Sequence, residues 1–400
     1  MRRAIVNIGC IVSGDWRKPI VDGDAILMEG EKILKVGSVL DAELQDCDLV
    51  IDANGVTAGP GLIDSHVHIA FGDYSPRLTA VNFLQNYLHG GTTTAISASE
   101  IHVPGYPHTV QSAKALALAA KECWDHYRPG GMRVFGGNVI LEPGMTDADF
   151  KELADKGIWL AKAGFGNVKT PFDYVPLIAS AKKAGMITNV HTGGASLNLA
   201  NSILGEHLVA MQPDVSFHVN GGPIAMPDQD FELVIDQTKA ALQIVQAGNI
   251  RTALLTLDLV MKKGCYDRFL IGTDTPTSTG VMPQGMIKTI AEMSCLSGVA
   301  PELLIAAATG NNARTYRLNS GFIAAGKDAD ILLFDAALAC SKTTALGALQ
   351  NGDVTSAVGC FTAGVPRYIG RSRCTPPPGR YPKIVKNQIA SDFAVPPMLI

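Results

Sequence analysis

The chain has 400 residues, 47% of them hydrophobic and only 18% charged, which is ample material for a large core in one or two domains. A net charge of −4 provides no basic footprint for nucleic acid or an anionic membrane, and the opening Met1-Arg2-Arg3-Ala4-Ile5-Val6-Asn7 is too short an apolar run for a signal peptide. No apolar run long enough to span a bilayer occurs, and the eight cysteines lack Cys-x-x-Cys spacing, which reads as reduced thiols in a cytoplasmic protein.

Along the chain, residues 1–58 predict short β segments at 4–11, 25–28, 32–36 and 49–52, separated by Gly and Asp turns. From residue 59 the pattern changes to short apolar runs alternating with helical stretches. Candidate strands fall at 61–66, 92–97, 133–140, 158–163, 187–191, 215–218, 240–245 and 269–272. Candidate helices fall at 83–88, 109–127, 147–156, 175–184, 230–236, 251–262 and 301–314. Eight strand–helix units between residues 59 and 320 match the length of an α/β (β/α)8 TIM barrel. β segments return at 329–334, 354–360 and 365–369, so residues 1–58 and 321–372 are expected to pair into one small β-sandwich. The remainder, 373–400, contains Thr375-Pro376-Pro377-Pro378-Gly379 and is expected to wrap the surface or meet a neighbouring subunit.

Chemistry-bearing residues recur at the predicted strand ends, where a barrel gathers its active face. Pro60-Gly61-Leu62-Ile63-Asp64-Ser65-His66-Val67-His68 ends the first strand with two histidines at i and i+2, a spacing that shares a face. Neutral imidazole is the commonest protein ligand for zinc-like metals. Lys162 ends strand four, His191 strand five, His218 strand six and Asp274 strand eight. Taken singly, each has a structural reading: a lysine snorkelling at the rim or paired with a carboxylate, core histidines with satisfied hydrogen bonds, an aspartate capping the next helix. Taken together they form a ligand set for divalent metal. Lys162 has apolar period-2 partners, Ile158 and Leu160, and a buried ammonium is costly unless paired or deprotonated. A desolvated amine can take up carbon dioxide, giving a carbamate able to bridge two cations.

The strand-one segment resembles the signature of the amidohydrolase superfamily, and Gly321-Phe322-Ile323-Ala324-Ala325-Gly326-Lys327-Asp328-Ala329-Asp330-Ile331 is similar to its return into the sandwich. The likeness runs through nearly the whole chain and is greatest to a branch that opens a cyclic enamide. That branch has glutamate as the strand-four metal bridge. Lys162 instead resembles the carboxylated lysine of dihydroorotases, hydantoinases and phosphotriesterases.

The resemblance implies a C–N hydrolase of a cyclic amide, lactam, enamide or imide. One divalent ion would sit on His66, His68 and Asp274, the second on His191 and His218, with carboxylated Lys162 bridging. Zn is the first choice of metal, and Fe or Mn also suits these ligands. A shared hydroxide would attack the carbonyl, with Asp274 as general base and then acid. Tyr74, Arg77, His102, Thr192 and Asn220 are candidate substrate contacts, Arg77 for its bidentate fork. The alternatives are a metal-dependent dipeptidase or N-acyl amino acid hydrolase, or a mononuclear deaminase. A non-catalytic scaffold is disfavoured because all six ligand positions are filled. The resemblance also implies a homo-oligomer, with a tetramer favoured.

Overall fold

In the computed structural model, which describes residues 1–69, 80–99, 108–195, 202–222, 224–276 and 280–389, the first sixty residues fold as short strands broken by glycine and asparagine, with one short helix at Asp41–Gln45. The run expected as one strand over 4–11 is two, Arg2–Val6 and Cys10–Val12. Asn7 takes a left-handed φ of 55° between them and passes the chain from one sheet to another. One sheet orders Lys383–Asn387, Leu49–Asp52, Arg2–Val6, Ala25–Glu29 and Lys32–Gly37. The other orders Val365–Ile369, Ser356–Thr362, Ile331–Asp335, Thr57–Pro60, Cys10–Val12 and Ile20–Val21. Ile5, Ile26 and Ile51 of the first sheet bury against Ile11, Ile331 and Phe361 of the second, forming a β-sandwich from both ends of the chain. The segment after 372 is not merely a surface tail. Its Lys383–Asn387 pairs antiparallel with Leu49–Asp52, whose outer main-chain groups would otherwise be an open sheet edge.

Between the sandwich segments, eight strand positions run parallel: Leu62–Val67, Thr92–Ser97, Arg133–Phe135 continuing as Asn138–Ile140, Leu160–Ala163, Ile187–His191, Val215–Phe217, Ala241–Val245 and Phe269–Gly272. The third is split at Gly136-Gly137, where a side chain would collide with Trp124 or Ile158. The ring closes between its last and first members, with Asp274 N donating to His66 O (2.9 Å) and His68 N to Thr275 O (2.7 Å). This is the (β/α)8 barrel. Ile63, Leu160, Ile187, Val215, Phe217 and Leu270 fill its interior, while alternate residues such as Val190, Ile244 and Ile271 pack outward under the helices.

The helix expected over 301–314 is two, Pro301–Ala307 and Gly310–Thr315, broken at Thr309 (φ −135°, ψ −85°). The break turns the second helix into the barrel base. There Asn312 Nδ2 donates to Ile63 O (2.9 Å) and Ile271 O (3.0 Å), and Tyr316 Oη to Asn189 Oδ1 (3.0 Å). Gly285–Ser297 forms a helix absent from the sequence expectation, because its Met- and Ile-containing run is buried on most sides and its polar edge is reduced to the Lys288–Glu292 pair. Among the described residues no helix is long and apolar enough to cross a membrane.

Candidate metal centre

The first barrel strand does not keep strict alternation. Asp64 pairs with Ala95 but Val67 pairs with Ser97, so one extra residue is accommodated between them. Such a bulge flips the parity of the residues beyond it. Ile63 faces the barrel interior, Val67 packs outward, and His66 and His68 both turn inward, their rings 5.4 Å apart. Asp64 secures the bulge to the last strand, accepting from Thr273 N (3.0 Å), Thr273 Oγ1 (2.5 Å) and His66 N (3.2 Å). Burial pushes its carboxyl up to about 7 despite those donors.

Asp274 completes a group whose ligand atoms all lie within 4.8 Å of one another: its Oδ1 is 3.3 Å from His66 Nε2 and 3.0 Å from His68 Nε2. Its backbone is left-handed (φ 62°), as is that of His218 (φ 35°). Non-glycine residues rarely adopt this region, and its cost is typical of functional sites. For His218 the reason is plain. Phe217 occupies the inward position of strand six, so an extended His218 would point out. The left-handed turn swings its imidazole to 4.5 Å from the His191 ring and 5.3 Å from His66.

Two glycines make room for these rings. A side chain on Gly272 would lie 3.1 Å from His66 Cβ, and one on Gly164 (φ 123°) would lie 2.4 Å from His191 Cβ. Gly164→Ala is therefore expected to destabilise the fold by about 1–3 kcal/mol and to displace His191. Denaturant midpoint together with bound-metal content would measure both effects, and unchanged metal content would show that His191 does not need this seat.

The electrostatics of the centre follow from burial. Desolvation lowers every imidazole: His68 and His191 to about 4, His66 below its ordinary value and His218 well below it. All four are neutral donors at physiological pH. Burial opposes ionisation of Asp274 too, yet its carboxyl lies well below the usual range among the imidazoles, with His68 Nε2 as its hydrogen-bond partner at 3.0 Å. Lys162 is fully buried against the faces of Phe217 (4.2 Å) and Phe165 (5.4 Å), and desolvation brings its amine down to about 7.

The donor set fits divalent metal on a direct structural criterion. Lys162 Nζ, His66 Nε2, His191 Nδ1 and His218 Nδ1 are buried polar atoms without a hydrogen-bond partner, and orphaned buried nitrogens are costly unless something else engages them. His191 donates through Nε2 to Gly194 O (2.8 Å), which leaves the lone pair on Nδ1.

Two candidate substrate contacts have other work. Thr192 Oγ1 is bonded to Val190 O (3.2 Å) and Ser216 Oγ (2.7 Å). The Asn220 amide exchanges hydrogen bonds with the backbone of Val245, Nδ2 to O at 3.0 Å and N to Oδ1 at 2.9 Å. Both buried side chains hold strand ends together rather than offering free polar groups. Tyr74, Arg77 and His102 lie outside the described residues. Sequence reasoning missed Gln243, whose Oε1 is 2.7 Å from His66 Nδ1. The available signal was a lone amide inside the apolar run Ala240-Ala241-Leu242-Gln243-Ile244-Val245.

Comparison with known proteins gives a consistent result. The family described as "Amidohydrolase family" matches residues 57–358. The chain is 38% identical over 384 residues to enamidase from Eubacterium barkeri, covering 95% of this chain and 99% of that protein. A solved structure of enamidase superposes with a TM-score of 0.91 at 37% identity, covering 96% of this chain and all of the other. β-Aspartyl dipeptidase from Fervidobacterium islandicum shares the fold, with a TM-score of 0.62 at 20% identity over 92% of this chain and 98% of its own.

Proposed function

This chain belongs to the amidohydrolase family, and from that premise we propose that it hydrolyses the C–N bond of a small cyclic amide or enamide, as a metal-dependent enzyme acting on bonds other than ordinary peptide bonds. The observation that carries this reading is the 38% identity to enamidase across essentially the full length of both proteins. The buried His66, His68 and Asp274 group supports it.

Two divalent ions fit the donors. His66, His68 and Asp274 would hold one, His191 and His218 the other, and Lys162 would bridge them as its N-carboxylate. Zn is our first choice, with Fe or Mn compatible with the same ligands. Bound there, the ions would supply Lewis acidity, polarising the amide carbonyl and making water a nucleophile near neutral pH. Lys162 gains its carboxylate when the unprotonated Nζ adds to carbon dioxide and releases one proton. Phe165 and Phe217 favour this by keeping water from the amine. Asp274, ionised between two imidazoles, takes the proton of the attacking water and returns it to the leaving nitrogen as the C–N bond breaks. Its left-handed backbone, fixed by Asp274 N donating to His66 O, keeps the carboxylate aimed at the centre.

The test is an assay of metal-loaded protein against lactams, cyclic enamides, cyclic imides, N-acyl amino acids, dipeptides and adenine. Turnover of a cyclic amide is expected, falling at least tenfold on dialysis against a chelator and returning with Zn, Mn or Fe. Turnover of adenine by protein carrying one metal would replace this reading with a mononuclear deaminase. Turnover confined to dipeptides would replace it with a peptidase. We further propose a cytoplasmic homo-oligomer, consistent with eight cysteines that are all free thiols. A tetramer is our expected state, to be measured by light scattering.

A further inference from the structure

We infer that Gln243 is a positioning residue that fixes the tautomer of His66, through a hydrogen-bond chain whose direction is set at the base of the barrel. The inference rests on the proposed metal site and adds to it a residue that contacts no metal.

The chain starts from groups that cannot reverse. Asn312, on the helix that plugs the barrel base, places Nδ2 2.9 Å from Ile63 O and 3.0 Å from Ile271 O. Both carbonyls are pure acceptors, so this end of the amide must be NH₂ and its Oδ1 must accept. Ser65 Oγ lies 2.9 Å from that Oδ1 and therefore gives it the hydroxyl proton. The hydroxyl is then left to accept from Gln243 Nε2 at 2.7 Å. Ser65 O, 3.3 Å from the same nitrogen, is a second pure acceptor and independently fixes the Gln243 amide the same way round. Gln243 Oε1 therefore faces His66 Nδ1 at 2.7 Å as an acceptor, and Nδ1 carries the proton.

The consequence falls on the other ring nitrogen. His66 Nε2 must hold its lone pair, and that lone pair faces the Asp274 carboxylate oxygen 3.3 Å away without a hydrogen bond. Two electron-rich atoms held this close in a buried site call for a cation between them. The opposite tautomer would donate Nε2–H to Asp274 and remove His66 as a ligand. Gln243 excludes that tautomer without adding a charge to the centre. Gly272, where a side chain would lie 3.5 Å from Gln243 Cδ as well as against His66, leaves the space that brings the two together.

The experiment compares metal affinity, by competition with a chromophoric chelator using Zn²⁺ or Co²⁺, in the full-length wild type, Gln243→Met and Gln243→Glu. Losing a hydrogen-bond partner of a ligating histidine typically weakens metal binding about 10–100-fold, which is the loss expected for Gln243→Met. Gln243→Glu retains the acceptor and is expected to stay within a few-fold of wild type. In the Co²⁺-loaded wild type, the His66 Nδ1 proton should appear as an exchangeable, paramagnetically shifted NMR resonance that Gln243→Met loses, a change that general loosening of the barrel would not produce. Equal affinities in Gln243→Met and wild type, or Gln243→Glu as weak as Gln243→Met, would overturn the assignment. If Gln243→Met does not fold, the Co²⁺-loaded wild type carries the test: an exchangeable His66 Nδ1 resonance is expected, and its absence would overturn the assignment. Wild-type protein that binds no metal at all would overturn the reading of the centre, and this inference with it.

Discussion

Lys162→Ala is expected to lower turnover by about 10³-fold or more while leaving the fold intact. The side chain lies fully buried in the barrel with Nζ unpartnered. Removing it creates a cavity but also relieves a desolvated amine, and the two effects oppose each other in stability. Its loss should therefore be read in kcat and metal stoichiometry rather than in Tm. Bicarbonate or a short carboxylic acid added to the variant is expected to recover part of the activity by occupying the vacated bridge. Full activity in Lys162→Ala without additives would end the bridging role.

The same residue leaves a signature in the metal-free protein. Its folded value of about 7 lies below the ordinary lysine value of 10.5, so between those limits the unfolded chain holds a proton that the folded chain has shed. Stability attributable to Lys162 therefore rises as pH climbs from about 7 towards 10.5, and falls away as pH drops through 7. Denaturant midpoints across that window should show this slope in wild type and not in Lys162→Ala.

Asp274→Asn is the second large effect: a loss of about 10²–10⁴-fold in kcat, the range for removing a general acid–base group. The substitution is nearly isosteric. Asn is also among the residues that best tolerate the left-handed backbone seen at this position, and Asp274 N can still donate to His66 O. What changes is the chemistry. An amide cannot hold and return a proton, and it contributes no charge opposite His66 and His68. Variant and wild type should be compared at saturating metal, so that weakened binding does not pass for lost proton transfer. A kcat within threefold of wild type under those conditions would remove Asp274 from the proton path.

Much of the architecture could be read in the sequence because its physics is local. Short apolar runs alternate with 3.6-period stretches, and Thr92–Ser97, Ile187–His191 and Phe269–Gly272 have the bounds expected for them. Local patterning fails where one residue changes the direction of the backbone. Asn7 divides an apolar run between two sheets, Thr309 breaks a helix, and Gly136-Gly137 splits a strand. The last edge strand, Lys383–Asn387, is mostly exposed and polar. It exists because a partner strand over three hundred residues earlier leaves main-chain groups unpaired, which no window of sequence contains.

For the candidate centre the division is similar. Residue type and position after a strand suffice to name His66, His68, Lys162, His191, His218 and Asp274, since a parallel barrel delivers every strand end to one face. Their orientation is another matter. Alternation alone would place His66 opposite Ile63 and His218 opposite Phe217. The bulge in strand one and the left-handed turn at His218 reverse both, and each is held by contacts with distant strands. Gln243 shows the limit most plainly, because an amide in an apolar strand has no evident purpose until the folded ring sets it against His66. The sequence by itself determined which elements form and which donors reach the same end of the barrel, since hydrophobic periodicity and strand order are carried by neighbouring residues. Only the tertiary structure decided which nitrogen of each ring looks inward and which carboxylate it meets, because those choices depend on hydrogen bonds between residues that come together only when the barrel closes.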